Sequence, residues 1–263
     1  MKYTRVCAAV AASVALFGLT ACSSDDTKSS SAGSSAAKKP KGPFAGVTPD
    51  QIAAKATAAT KSVTSMKIVG NGIDAGKKMA FTSQFHTNGQ CLGSTQTAGE
   101  GRLDTRRTSA KKLFMRGDEA YYKSAMASGS DALKGDELDL AVKIMSNKWI
   151  KPDASDKSAG DIGDLCSMTG LVTEMQLDDV RGMRRGADTV VDGRKAITLV
   201  GKAGSQVDTY YVAADEKAPF YLKLTSVGGK DGASAMSFSE QNKPFVVAEP
   251  KGKELLDLNK MSG

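Results

Sequence analysis

The 263-residue chain carries 36 Lys and Arg against 29 Asp and Glu, a formal net charge of +7, with 40% hydrophobic and only 6% aromatic residues. The basic excess is interleaved with acids, and no stretch alternates basic with aromatic side chains, which argues against a nucleic-acid partner. With one histidine in the whole chain, His86, His-based catalytic triads and multi-His metal sites have almost nothing to build on.

The N-terminus reads in three parts. Lys2 and Arg5 give a positive start, and Cys7 to Gly18 is a short apolar run containing Val10, Val14, Leu16 and Phe17. Leu19-Thr20-Ala21-Cys22 follows with small residues before a cysteine. The run is shorter than the about 20 apolar residues that span a bilayer, so residues 1–21 are expected to be a cleaved signal peptide. Losing the two charges of Lys2 and Arg5 takes the net charge from +7 to +5.

Residues 22–47 are rich in Ser, Ala, Gly and Lys, with Pro40 and Pro43, and offer little to bury. They are expected to be a disordered tether reaching roughly 25–30 Å. Its densest charge, Lys38-Lys39-Pro40-Lys41, reads as a solvated linker, with attraction to anionic lipid as the alternative. A single globular domain is expected over 48–263.

Thr48-Pro49-Asp50-Gln51 is a capping box with proline at the first helical position, and Ile52, Ala53, Ala56 and Ala59 continue a helix to about Ser62. From Val63 the period changes to two. Met66, Ile68 and Gly70 share one face, as do Met79, Phe81, Ser83 and Phe85 after a turn at Ala75-Gly76. Asn88-Gly89 signals a two-residue hairpin, and strands are predicted over Gln90–Thr97, Glu100–Thr108, Lys111–Arg116 and Glu119–Ser124. Leu138, Ala141, Val142 and Met145 then trace a helix behind Asp136-Glu137, followed by a short strand at Lys148-Trp149-Ile150. Ile162, Leu165, Met168, Val172 and Met175 trace another helix. The last third returns to strands, with a hairpin at Asp192-Gly193 and runs over Ile197–Val200, Val207–Val212, Phe220–Val227 and Ala235–Ser239. Strands before and after a helical pair predict an α+β fold with one large, mostly antiparallel sheet.

Of the four cysteines, Cys7 would leave with the signal and Cys22 would stand at the mature N-terminus. Cys91 and Cys166 remain, and in an oxidising exterior a disulfide is favoured over a metal or redox pair, which would need His or Cys neighbours at ligand spacing. No nucleophile elbow, zinc motif, P-loop or complete dinucleotide fingerprint is present, and Gly99-Glu100-Gly101 lacks the third glycine. No enzymatic activity, catalytic residue, cofactor or metal is expected, although a carboxylate pair assembled by folding would leave no such signature.

Leu19-Thr20-Ala21-Cys22 resembles the lipobox of bacterial lipoproteins, which implies a diacylglyceryl thioether on Cys22 and a place on the outer face of the cell membrane. One acyl chain holds marginally, while two or three hold durably. The lipobox, the tether, the opening helix, the run Phe81–Tyr122, the two mid-chain helices, the Cys91/Cys166 pair and the trailing strands together resemble the LolA-like carriers, in particular the LppX/LprG-type lipoproteins. That resemblance implies a partly closed sheet, a half-barrel, wrapped over a few helices with an apolar cavity between them for acylated ligands. Independently, Met66, Met79, Met115, Met145, Met168 and Met175 fall on predicted inward faces, where flexible thioethers suit either an adaptable lipid-lining surface or a packed core. With Phe81, Phe85, Leu138, Val142, Leu165 and Val172 they form the candidate lining. The expected partners are the membrane through the anchor, a lipid or lipoglycan ligand and, if the cavity is closed, an envelope protein recognised by a tethered interaction or sensor module.

Overall fold

Thr48 starts the first helix as its sequence dictates. Its hydroxyl accepts a hydrogen bond from the Gln51 amide at 3.3 Å, and the Gln51 side chain accepts one from the Thr48 amide at 3.0 Å. In the computed structural model, which describes residues 42–109, 112–128, 131–152, 177, 180–230 and 232–256, this capping box opens α1 (Pro49–Lys61). The described residues belong to one compact unit.

The chain then runs through β1 (Ser65–Asp74), β2 (Lys77–His86), β3 (Cys91–Thr97), β4 (Gly101–Arg107) and β5 (Leu113–Gly117), a five-stranded antiparallel meander. Two helices follow, α2 (Glu119–Met126) and α3 (Gly135–Met145), and then the two-residue strand β6 (Trp149–Ile150). The later strands are β7 (Arg184–Arg185), β8 (Thr189–Val191), β9 (Arg194–Ala203), β10 (Gln206–Ala213), β11 (Tyr221–Gly229), β12 (Gly232–Ser239) and β13 (Leu255–Leu256). All belong to one sheet of order β13-β6-β5-β4-β3-β2-β1-β12-β11-β10-β9-β7, with β8 also on β9. Every pairing is antiparallel except β13 on β6. The ends of this path do not pair with each other among the described residues, so the sheet is a large, partly closed half-barrel over helices, the α+β architecture predicted.

The tight turns explain much of the register. Asp192 (φ 48°) and Gly193 (φ 76°) form the predicted two-residue hairpin between β8 and β9, and Ala75 (φ 47°) and Gly76 (φ 80°) do the same between β1 and β2. The Asn88-Gly89 hairpin differs. It has a three-residue loop, Thr87 to Gly89, closed by His86 N–H donating to Gln90 O at 2.9 Å. Only Gly89 takes a positive φ (91°), and Asn88 instead caps the loop, its Oδ1 accepting from the Gln90 amide at 3.1 Å.

Two further expectations are corrected. The predicted strand Glu119–Ser124 is helix α2. Asp118 is extended and its carboxylate accepts from the Tyr121 amide at 2.8 Å, an N-cap that outweighs the weak alternation of the segment. The helix can settle here because Gly101 and Gly117 lie beneath it; a Cβ at Gly101 would collide with the Asp118 carboxylate and Tyr121 backbone. The second correction concerns the tether, which was read as continuing to Val47. Phe44 is already core, 2% exposed, with its amide donating to Glu216 Oε1 at 2.7 Å. Val47 joins the same cluster as Ile52, the pairing of a hydrophobic staple across the helix start. One aromatic residue among Pro and Gly carries no periodicity, so composition hid it.

Helix α1 is held to the sheet by a buried polar knot. Tyr221, fully buried on β11, donates its hydroxyl to Ala53 O at 3.1 Å and its amide to Thr60 Oγ1 at 3.2 Å. Thr57 Oγ1 lies 3.1 Å from the same phenol oxygen and donates to Leu177 O at 3.0 Å. The Tyr210 ring sits 5.7 Å from that of Tyr221. Burial pushes both phenols up to about 12, with the Asp208 charge adding to the effect on Tyr210. Unfolded tyrosines ionise near pH 10, so the stability linked to these phenols is fully present below that pH and is lost as pH rises toward 12. Thermal melts across that window are expected to show a steep fall in Tm that Tyr221→Phe makes shallower; an unchanged Tm up to pH 12 would contradict the buried knot.

Candidate ligand site on the inner face

Strand pleating divides the sheet into two faces, and register assigns each side chain to one of them. The helix-covered inner face carries Met66, Ile68 and Gly70 of β1, and opposite them Phe85, Ser83 and Phe81 of β2. From there the rows continue across the meander. Phe81 pairs with Thr95, Thr95 with Leu103 and Leu103 with Gly117. In the next row Ser83 pairs with Gly93, Gly93 with Thr105, Thr105 with Met115 and Met115 with Ile150.

The predicted lining residues on this face do not all pack together. Met66 (0% exposed) and Phe85 (1%) lie in a closed core with α1 and β9 to β12, and Phe81 packs against it. Leu138 and Val142 of α3, with Met145 at their edge, form a separate cluster with Tyr122 and Ile150 beneath α2 and α3. Met79 and Met115 belong to neither cluster and are half-buried. Leu165, Met168, Val172 and Met175 lie outside the described residues, as do Cys22 and Cys166. Cys91 is buried (2% exposed) beside the first core and is disulfide-bonded.

Between the two clusters the inner face carries a strip of small side chains that belong to neither cluster. Ser83, Gly93, Thr95 and Thr105 present the smallest side chains of β2, β3 and β4, with the Thr105 side chain lying over Gly93. Larger side chains border them: Met79 and Phe81 on one side, Leu103 and Met115 on the other. All eight are only partly buried. Small residues on three adjacent strands about 4.8 Å apart leave a strip roughly 10 Å across, walled by apolar side chains. The hydroxyls of its floor would accept polar atoms, while its walls would take hydrocarbon. Sequence reading assigned the walls through Met79, Phe81 and Met115 but passed over the floor, because Ser, Gly and Thr carry no hydrophobic signal.

A concavity of about 360 Å³ lies against α1 and is lined by Asp50, Ala54, Thr57, Ala58, Lys61, Leu177, Val180 and Arg181. None of these residues was a sequence candidate. Asp50 spends one carboxylate oxygen on the Met183 amide, at 2.8 Å. Its small apolar floor, Ala54 and Ala58 on the outer side of α1, could have been found only by asking why an amphipathic helix exposes alanines. On the opposite face of the sheet, His86 is half-buried at the end of β2, its Nδ1 accepting from the Asn88 amide at 3.1 Å and its ring 6.3 Å from that of Phe245. Among the described residues no group of three His, Cys, Asp or Glu side chains could hold a metal ion, and no helix is long and apolar enough to cross a membrane.

No family model and no curated protein matches the chain. Solved structures do resemble it in fold. The crystal structure of LprF from Mycobacterium bovis is 13% identical, covers 78% of this chain and 97% of its own, and has a TM-score of 0.48. An uncharacterized conserved protein from Thermus thermophilus is 11% identical over 74% of this chain and 88% of its own, with a TM-score of 0.32. The MucA/MucB complex of Pseudomonas aeruginosa gives 12% identity, 72% of this chain, 55% of that one and a TM-score of 0.30. What the strand order itself defines is an α+β half-barrel whose inner face is shared between two helical clusters.

The partial burial of this strip has a direct energetic signature. Truncating a packed core side chain such as Met66 to Ala costs about 2–5 kcal/mol, whereas a half-exposed wall residue leaves no closed cavity. Urea unfolding is expected to show Met115→Ala costing under about 1 kcal/mol against several for Met66→Ala. Equal losses would mean that the strip is ordinary packed core.

Proposed function

We propose that this chain is an acylated extracytoplasmic lipoprotein of the LolA-like, LppX/LprG type, which receives the acyl chains of an envelope lipid or lipoglycan on the inner face of its half-barrel. The observation that supports this reading is the half-buried strip between the two clusters. A sheet of this size, with core clusters on both sides, leaves Met79, Phe81, Leu103 and Met115 half-buried around a floor of Ser, Gly and Thr. Each methylene moved from water onto such walls contributes about 0.8 kcal/mol, so even half of a long acyl chain supplies several kcal/mol toward binding. No bond need be made or broken. The protein would hold and hand over its ligand.

The anchor belongs to the same reading. Cys22 carries the lipid, the tether holds the domain off the outer face of the membrane, and Cys91 pairs with Cys166. A bridge of that span contributes on the order of 4 kcal/mol by restricting the unfolded chain. A different observation favours an envelope protein partner instead. Val69 (45% exposed) and Val227 (49%) stand on the outer face of β1 and β11, where a tethered interaction or sensor module would make its contacts.

Native mass spectrometry of protein gently extracted from membranes tests the first reading. It is expected to show one lipid per chain in addition to the covalent anchor, and a Cys22→Ser version should lose the anchor while keeping the bound lipid. Protein that is empty and takes up no acyl probe, together with one dominant crosslinked protein in the native membrane, would replace the carrier with the interaction module.

A further inference from the structure

The outer face of the first meander holds a group of side chains that the carrier reading leaves unused. Arg102, Asp104 and Arg106 alternate along β4, and register sets Arg116 of β5 directly opposite Asp104. One carboxylate therefore pairs with two guanidiniums, with a third on the same face of β4. Asp104 Oδ1 accepts from Arg102 Nε at 2.8 Å, and Oδ2 accepts from Arg116 Nη2 at 2.8 Å and Nε at 3.3 Å. Burial by itself would raise the Asp104 carboxyl; hydrogen bonds from Arg116, Arg102 and Ser94 outweigh it and hold the group below its ordinary value. Asp104 thus remains a resident anion.

Arg106 has no carboxylate partner among the described residues. Its guanidinium carbon lies 4.3 Å from the centroid of the Trp149 ring, and that of Arg116 lies 4.7 Å from the same ring. Trp149 is 2% exposed, and its indole N–H has no acceptor among the described residues. The surroundings are basic as well. Lys148 and Lys151 flank β6, and because β13 pairs with β6, Lys251 and Lys253 are brought alongside, with Lys148 Nζ donating to Lys253 O at 3.1 Å. Against these stand Glu254 and Glu249, the latter already paired with Lys112 at 2.8 Å.

We propose that Arg102, Arg106 and Arg116, beside Trp149 on the outer face, bind a phosphate group. A guanidinium offers five N–H donors in a planar fork, and Asp104 uses few of those present. Side chains from two adjacent strands converge on one aromatic surface, and a tetrahedral dianion can bridge forks that approach from different directions. A further carboxylate would only repeat what Asp104 already does. The aromatic ring fixes the two guanidiniums that contact it and lowers the entropy lost on binding. The phosphate can come from a phospholipid headgroup or a free phosphoester.

Trp149 is the chain's single tryptophan and lies against two of the three arginines, so its emission reports on the site. The full chain is titrated with inorganic phosphate, and separately with phosphatidylcholine vesicles with and without phosphatidylglycerol. A saturable change in emission is expected. Arg106→Gln should weaken it by roughly ten-fold, the loss of one charge-assisted hydrogen bond. Asp104→Asn should tighten it by releasing Arg102 and Arg116, and Lys202→Gln, an equal charge change on β9, should leave it unaltered. Response to phosphate alone assigns a free phosphoester; response to the phosphatidylglycerol vesicles assigns a lipid headgroup. Should Arg106→Gln lose its fold by circular dichroism, Arg102→Gln, whose side chain is 53% exposed, takes its place. No saturable response to either probe, or an equal loss in Lys202→Gln, overturns the proposal.

Discussion

The antiparallel pairing of β1 with β12 is the constraint from which the rest of the structure follows. Lys67 to Asn71 are matched with Ser239 to Ala235, residues at opposite ends of the domain. This junction joins two independent meanders, β2 to β5 on one side and β9 to β11 on the other, into a single sheet. The pairing is non-local, so its loop-closure cost must be met before any of its contacts reward it. Helix α1 immediately precedes β1, and the Tyr221 knot ties that helix to β11. The same few elements therefore close the sheet and form its main core.

Once β1 and β12 are in register, pleating decides everything else about location. Residues of one parity face the helices, and residues of the other face outward. The inner parity reads Met66, Phe85, Phe81 and Met115; the outer parity reads Lys67, Gln84, Asp104 and Arg116. A slip of one residue would exchange them. Two unrelated chemistries can thus meet on β4 and β5 without interfering, a strip walled by apolar side chains on one side and a cationic cluster on the other. Among the described residues, the helices cover two separated parts of a wide sheet, and the strip of small residues lies between them. α1 lies over the late strands, and α2 and α3 lie over β4 to β6.

Much of this was legible in the residues, for identifiable reasons. Period-two alternation in Met66–Gly70 and Met79–Phe85, turn chemistry at Asp192-Gly193 and the Thr48 capping box are local signals, and local signals survive folding. The α2 helix was missed because Glu119-Ala-Tyr-Tyr-Lys-Ser alternates weakly, and the deciding atom belongs to Asp118, one residue earlier. Phe44 was missed because a lone core residue has no period. β7 and β13, two residues each, are strands only because β9 and β6 offer them an edge. The outer-face cluster was invisible for a similar reason. Arg102, Arg106 and Arg116 look like scattered surface charge until register sets β4 beside β5 and places Trp149 against them.

The central proposal is that the strip of Ser83, Gly93 and Thr105 receives a hydrophobic guest. Its most direct measurement is uptake of a fluorescent fatty-acyl probe by the wild-type chain and by Ser83→Phe and Thr105→Phe, with Tm recorded for each. The account predicts saturable uptake by wild type and its loss in both variants, whose bulk fills the strip while their melting temperatures hold or rise. Undiminished uptake by stably folded Ser83→Phe and Thr105→Phe would contradict it.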